Sequence, residues 1–151
     1  MASRRYNARE ITVRLEAETF DDFGDTAFAI LRNLILGSPV GNPTLWQFPD
    51  SAPDGYVGGH FRRNWQVSIG GFNTTELGGA DAAGAATLAS GKSRIDTFTR
   101  AGKPGVNLVI QNNVPYANRL AQGHSTQAGP GWVDRAIDAA LGTPGGRKDL
   151  G

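Results

Sequence analysis

The chain has 151 residues, a length at which one domain can bury one modest hydrophobic core. Its formal net charge is +1, so no chain-wide electric field would hold it on nucleic acid or on an anionic membrane. It has no cysteine, which excludes disulfides, thiolate metal sites and cysteine nucleophiles. No signal-like segment and no run of 18 apolar residues occurs, so we expect a cytoplasmically made protein without a membrane partner.

The first two predicted elements are a strand and a helix. Apolar and polar side chains alternate over residues 10–15, which is typical of a strand. Apolar residues then follow at helical spacing, and we expect Thr19 to open this helix as part of a capping box. Gly37 and Pro39 end the pattern, so the sequence predicts a helix over 19–36.

A long loop is predicted over residues 38–61. Its prolines and glycines exclude a regular element across it, and loops of this length are more often functional or disordered than passive. Trp46, Phe48 and Tyr56 argue against simple disorder, because disordered linkers lack aromatics. We predict that these three rings bind a neighbouring subunit or partner, since interface centres favour large aromatics. The alternative is that they fold back onto their own subunit.

The rest of the chain predicts two strands, two helices and a flexible tail. Their predicted ranges are 64–70 and 106–111 for the strands, 80–98 and 131–142 for the helices, and 143–151 for the tail. We therefore expect one α+β domain over residues 1–151, with its core at about 10–142. The predicted sheet is small and mostly antiparallel, and the long N-terminal helix packs on one face.

The doublet His124-Ser125 is the sequence's main candidate for a catalytic site. A serine hydrolase needs a nucleophile on a sharp turn, a base within reach and an acid that orients the base. Adjacent residues usually point apart, and no G-x-S-x-G elbow is present. We therefore expect no enzyme and no catalytic residue. The alternative hypothesis is a small cytoplasmic enzyme or binding module with its site around these two residues.

The sequence also gives no pattern for a cofactor or a metal. The stretch 91-GKS-93 resembles the end of a phosphate-binding loop, but Ala86 occupies the position of the required first glycine. His60 and His124 lie far apart in the sequence, with no carboxylate cluster at ligand spacing. We expect neither a cofactor nor a metal site.

Two adjacent arginines form a second group of candidate interface residues. Arg62 and Arg63 stand beside Trp65 and could contact phosphates, but no helix-turn-helix or RNA-binding aromatic pattern accompanies them. Arginine is favoured at protein interfaces because its planar fork forms bidentate hydrogen bonds. We therefore add both arginines to the predicted interface and do not expect specific nucleic-acid recognition.

Three stretches resemble a family of tailed-bacteriophage neck and tail-completion proteins. The first, 38-SPVG-41, ends a predicted helix, and the second, 61-FRRNWQVSIG-70, supplies an Arg-x-x-Trp strand. The third, 107-NLVIQNNVPYANRLAQGHSTQAGPGWVDRAI-137, is similar to that family's strand, Asn-Asn-x-Pro-Tyr turn, Gly-His-Ser loop and closing helix. The resemblance covers about residues 10–140. It departs from the family pattern after Pro39-Val40, where 41-GNP-43 and a long loop replace the expected acid-Thr-Gly.

The resemblance implies a structural virion protein at the head–tail junction. Such a protein forms a closed homo-oligomeric ring, six-fold more readily than twelve-fold, that completes or caps the tail. Its implied partners are head connector or head-closure proteins and the tail tube protein. DNA would pass through the channel without specific recognition, and assembly would take place in the host cytoplasm.

The last of the three stretches is interpreted as a rigid corner. Pro115 fixes φ in the turn and Gly123 supplies a backbone conformation that other residues avoid. This corner is either plain internal architecture or a direct contact to a partner. Across the three stretches, the residues predicted to be structural are Pro39, Trp65, Asn113, Pro115, Tyr116, Gly123 and His124.

Overall fold

A computed structural model describes most of the predicted core. The described residues are 2–6, 11–16, 20, 22–40, 58–115, 117, 129 and 131–141. Most of the predicted 38–61 loop and the whole predicted 143–151 tail lie outside these ranges. The prediction of a single domain over the whole chain stays a prediction.

The described chain contains strands and helices in mixed order. In sequence they are β1 (Ala2–Tyr6), β2 (Ile11–Glu16), α1 (Phe23–Gly37), α2 (His60–Arg63), β3 (Trp65–Ile69), α3 (Ala85–Ala101), β4 (Asn107–Asn112) and α4 (Trp132–Leu141). The predicted α+β class is confirmed.

The strands form one antiparallel sheet in the order β1-β2-β4-β3. Val13 of β2 and Val67 of β3 both lie opposite Ile110 of β4, so the strands predicted near residues 64–70 and 106–111 do share a sheet. The sequence does not predict β1, because ASRRY shows no alternation of apolar and polar side chains. β1 and β3 are the two edges of the sheet.

One hydrophobic core joins the helices to one face of this sheet. Helix α1 contributes its buried stripe to the core and also contacts both α3 and α4, so it lies between them. The strands contribute alternate residues to this core, because successive side chains of a strand point to opposite faces of the sheet. The buried members from α1 and the strands are Ala27, Ile30, Leu31, Leu34, Ile35, Val13, Leu15, Trp65, Val67, Leu108 and Ile110.

Helix α1 begins later than the sequence predicts. The prediction starts the helix at Thr19, but Asp22 is the N-cap residue and its carbonyl accepts the first helical bond, from Thr26 N at 3.2 Å. Phe20 lies outside the helix and packs its ring 5.8 Å from that of Phe98 on α3. Phe20 therefore contributes to the apolar spacing seen in the sequence although it is not part of the helix. Thr19 lies outside the described residues.

Helix α3 is also displaced from its predicted range. It runs over Ala85–Ala101, whereas the alanine-rich composition predicts 80–98. Gly84, the N-cap residue, has φ +81, in the left-handed region that a helix cannot include. A Cβ at this position would lie 2.5 Å from Ile35 Cγ2, so glycine is also required by the close packing of α1.

A carboxylate outside α3 caps its first turn. Asp81 accepts hydrogen bonds from the backbone N–H groups of Gly84 at 3.1 Å and Thr87 at 2.9 Å, and from the Thr87 hydroxyl at 2.7 Å. Burial alone would raise the pKa of Asp81, but these hydrogen bonds and the charge of Arg63 lower it below its ordinary value. The cap is therefore an ionised carboxylate at neutral pH, at the positive end of the helix.

The predicted loop ends in one turn of helix. Residues 60 and 61 belong to α2, whereas the sequence predicts a loop through 61. Arg63 N donates to Gly59 O at 2.9 Å, and Asn64 Nδ2 donates to His60 O at 2.9 Å. Phe61 is buried in the core, and its burial holds this turn against the domain.

Gly91 sets the distance between α3 and the rest of the core. Glycine in a helix interior costs about 1 kcal/mol relative to alanine, so its presence here needs a packing reason. A Cβ on Gly91 would overlap Leu31 of α1 and lie 3.2 Å from Val67 Cγ2 of β3. The missing side chain lets α3 approach both elements.

Gly91→Ala is expected to destabilise the domain despite the better helix propensity of alanine. Overpacking a buried contact costs about 1–3 kcal/mol, more than the propensity gain. Urea unfolding measures the change in the free energy of unfolding. Ser93→Ala, at an exposed position of the same helix, is the control and should leave stability equal or slightly higher. Equal stabilisation by both substitutions would show that Gly91 is not needed for close packing.

Candidate functional site

The three stretches that carry the family resemblance meet at one corner of the fold. The carboxyl end of α1 supplies the first, α2 and the start of β3 supply the second, and the end of β4 supplies the third. We call this arrangement the motif corner, defined by Ser38, Pro39, Phe61, Arg62, Trp65 and Asn112. Pro39, Phe61, Ser38, Trp65 and Asn112 are all buried.

A buried hydrogen bond joins Trp65 to the end of α1. The indole Nε1 of Trp65 donates to Ser38 Oγ at 2.7 Å, and that hydroxyl donates to Leu34 O at 2.6 Å. Both side chains are less than 5% exposed. A buried indole N–H needs an acceptor, and Ser38 provides it at the position where the helix ends.

The guanidinium of Arg62 caps the carboxyl end of α1. Its Nη2 donates to Leu36 O at 3.2 Å and to Ser38 O at 2.8 Å, and its Nη1 donates to Ala82 O at 2.6 Å. The last carbonyls of a helix lack intrahelical partners and carry negative partial charge, and α1 has no basic residue in its own last turn. Burial lowers the pKa of Arg62, although an arginine remains charged.

Asn112 ties the end of β4 to α2. Its Nδ2 donates to Phe61 O at 2.9 Å, and its Oδ1 accepts from Val114 N at 3.3 Å. It lies directly opposite Trp65 in the β3–β4 ladder. One amide side chain thus fixes the turn before β3 and the turn after β4.

Three aromatic rings pack edge to face beneath this corner. The ring centroids of Phe61 and Trp65 are 5.8 Å apart, those of Phe61 and Trp132 are 6.1 Å apart, and those of Trp65 and Trp132 are 6.5 Å apart. Such pairs contribute about 0.5–1.5 kcal/mol beyond their buried area. Trp132 opens α4, so the cluster links the closing helix to the motif corner.

Amide side chains hold a loop across the other face of β3. We call residues 71–79 the tethered loop. Asn64 is fully buried and pairs with the main chain of Leu77: its Nδ2 donates to Leu77 O at 3.0 Å and its Oδ1 accepts from Leu77 N at 2.6 Å. Gln66 Nε2 donates to Thr75 O at 2.8 Å.

Gln111 and Asn113 hold the start of the same loop. Gln111 Nε2 donates to Asn73 O at 2.7 Å, and its Oε1 accepts from Asn73 N at 3.1 Å. Asn113 Nδ2 donates to Asn73 Oδ1 at 2.8 Å and to Thr75 O at 2.9 Å. Asn113, predicted to be structural, therefore anchors the tethered loop. The alternating Gln66 and Ser68 of β3, together with Gln111 and Asn113 at the end of β4, were the available sequence signal for this network.

The imidazole ring of His60 contacts the tethered loop, and its protonation changes this contact. Its Nε2 lies 2.9 Å from Glu76 Oε1, and its Nδ1 lies 2.8 Å from Gly79 O. Both partners are acceptors, so both bonds form only when both ring nitrogens carry a proton. Burial alone would lower the pKa of His60, but the bonds to Glu76 and Gly79 and the Glu76 charge raise it.

A groove of about 500 Å³ lies along the outer edge of β3. We call it the edge groove. The tethered loop forms one wall and α3 forms the other. Its lining residues are 65–69 of β3, 71–73 and Leu77 of the loop, Thr87, Ser90, Gly91 and Arg94 of α3, and Arg63.

The predicted interface residues have different positions in the structure. Trp46, Phe48 and Tyr56 lie outside the described residues, so their interface role stays a prediction. The terminal nitrogens of Arg62 donate hydrogen bonds to carbonyls of its own chain. Arg63 is half-buried and lines the edge groove.

The predicted structural residues divide in the same way. Pro39 and Trp65 are buried at the motif corner, and Pro115 is exposed in the turn after β4. Asn113 anchors the tethered loop. Tyr116, Gly123 and His124 fall outside the described residues, as does Ser125 of the alternative enzyme hypothesis.

The chemistry of the described residues adds no metal or phosphate site. No three His, Asp or Glu side chains gather at metal-binding distances within those ranges. The stretch 91–93 lies in the middle of α3, where Lys92 Nζ is 2.9 Å from Asp96 Oδ2. No described helix is long and apolar enough to cross a membrane.

No family model, no curated protein and no solved structure matches this chain.

Arg62→Lys is expected to lower the free energy of unfolding by about 2 kcal/mol, because an ammonium lacks the planar fork that reaches three carbonyls. Thermal or urea unfolding measures this loss. Arg32→Lys, at an exposed position of α1, is the matched control and should stay within about 0.5 kcal/mol of the parent. If the two substitutions have equal effects, the guanidinium geometry does not stabilise the motif corner.

The ring of His60 is expected to titrate above its ordinary pKa of 6.5. Because the folded-state pKa is raised, this contact stabilises fully below the unfolded value, and its contribution is lost as pH rises through the folded value. An NMR titration of the ring protons measures the pKa. Glu76→Gln should move it down, and His124→Gln should leave it unchanged and assign the signal, since the chain has two histidines. An insensitive pKa in the Glu76→Gln variant would contradict the bond.

Proposed function

We propose that this chain is a structural virion protein at the head–tail junction of a tailed phage. It assembles into a closed homo-oligomeric ring that completes or caps the tail and joins it to the head connector. One face of the ring docks the tail tube protein, and DNA passes through the centre without specific recognition. The protein acts by assembly, without turnover.

The observation that carries this proposal is the convergence at the motif corner. The stretches that resemble the phage family lie far apart in the sequence, yet Ser38 of the first bonds to Trp65 of the second. Asn112 of the third bonds to Phe61 of the second. The residue types that define the resemblance therefore act together in one structural unit, as parts of a shared fold do.

Ring closure requires two different complementary surfaces on each subunit. The described chain presents the sheet edge β1, and strand pairing at an edge is a general mode of protein association. The aromatic residues Trp46, Phe48 and Tyr56 of the predicted 38–61 loop are the other predicted docking surface. A sheet edge and a loop are two different surfaces, as ring closure requires, and this supports the proposal.

Native mass spectrometry and negative-stain electron microscopy of the purified protein test the proposal. We expect a closed ring, alone or on addition of isolated tails, and we expect the protein among the components of purified virions. A phage lacking the gene should accumulate separate heads and tails, and the purified protein should restore joining. The His124→Ala/Ser125→Ala variant separates the two hypotheses, because lost joining without any turnover supports an architectural role and lost turnover with an intact fold supports an enzyme.

Two results would overturn the proposal. The first is a protein that stays monomeric with tails present and is missing from virions. The second is turnover of a substrate that the His124→Ala/Ser125→Ala variant loses while keeping its fold, which would establish the enzyme alternative.

A further inference from the structure

The outer edge of β3 carries main-chain groups without partners in the described chain. Gly70 N donates to Asn107 O at 2.8 Å, so these two opposite residues form a hydrogen-bonded pair. This pair determines which residues of β3 point their main-chain groups toward β4. In an antiparallel pair, every second residue bonds to the neighbouring strand. Gln66 and Ser68 therefore bond to β4, whereas the N–H and C=O groups of Val67 and Ile69 point outward into the edge groove.

The edge groove encloses this edge on both sides of the sheet plane. The tethered loop covers one side and α3 covers the other, so an entering chain would have to be extended to reach the edge. Added strands lie about 4.8 Å from their neighbours, and the five residues of β3 offer about 17 Å of edge. The groove therefore fits a short segment in strand conformation.

The groove also exposes apolar surface. Among the described residues, Leu36, Ile69 and Phe72 are the large apolar side chains that are substantially exposed, at 47%, 37% and 46%. Ile69 and Phe72 both line the groove. Exposed apolar side chains beside an open strand edge are typical of a binding surface and a liability if left uncovered.

The charge of the groove selects between possible occupants. Arg63 and Arg94 line it, and no carboxylate of the described residues does. Asp81 acts on Arg63 but is itself engaged by Thr87 and Gly84. A negatively charged segment complements these two arginines.

We propose that the edge groove binds an extended acidic segment of a partner protein by strand addition to β3. The outward groups of Val67 and Ile69 form the new ladder, apolar side chains of the segment pack on Ile69 and Phe72, and carboxylates pair with Arg63 and Arg94. This binding is independent of ring formation. Ring formation and peptide binding in the groove are therefore tested by separate experiments.

Hydrogen exchange measured by NMR on the full chain tests the site. The probe is the capped peptide Thr-Val-Glu-Val-Glu-Val-Thr, with a counterpart in which lysine replaces both glutamates. We expect the acidic peptide to slow exchange at the Val67 and Ile69 amides by at least about tenfold. The Gln66 and Ser68 amides, already bonded to β4, should change little and serve as the internal control.

A pair of variants tests the charge contribution. Arg94→Ala should weaken binding of the acidic peptide about fivefold, the value of one exposed ion pair. Arg100→Ala, at another exposed position of α3 outside the groove, should leave binding unchanged. An acidic peptide that is N-methylated at every residue should not bind in either register, because it cannot donate to the ladder.

Three results would overturn the proposal. One is slow exchange of the Val67 and Ile69 amides in the free monomer, since the edge would then be covered by the chain itself. Another is equal binding of the glutamate and lysine peptides. The third is protection of these amides that appears with rising protein concentration alone, which would assign the groove to a second copy.

Discussion

The fold depends on the connection between the end of α1 and the start of β3. Trp65 and Arg62 bind the last residues of the helix through Ser38 and Leu36, so the helix axis and the edge strand are fixed relative to each other. A further hydrogen bond, from Gly59 N to Val40 O, joins the two ends of the chain that connects Val40 to Gly59. Loop closure costs little more as a loop lengthens, so the length of this connection costs the core little.

Hydrophobic periodicity was sufficient to predict the class of the fold. The alternation near residues 64–70 and 106–111 gave two strands that do pair, and the stripe that precedes Gly37 gave α1. These signals are local, since they need only the spacing of apolar side chains along the chain. Tertiary contacts altered the boundaries: Phe20 reaches the core from outside its helix, and Gly84 must take a positive φ.

Most of the candidate site could not be predicted in this way. The amide network depends on the distance between side chains and a loop backbone that are distant in sequence, such as Gln111 and Asn73. Polar alternation in a strand normally indicates solvent exposure, and here it indicates a second covered face. The arginines beside Trp65 looked equivalent in sequence, yet Arg62 is an internal cap and Arg63 lines a groove.

The tethered loop is held mainly through its main-chain atoms, which side chains outside the loop bind. The anchoring amides of Asn64, Gln66 and Gln111 lie on or beside the sheet and bind backbone atoms, so they do not depend on which side chains the loop carries. Thr74 and Gly78 are exposed, and a Cβ at Gly78 would meet nothing within 4 Å. Such positions have high mutational tolerance. Evolution can therefore change the chemical character of these exposed positions while the side-chain contacts of Asn73 and Glu76 keep the loop in place.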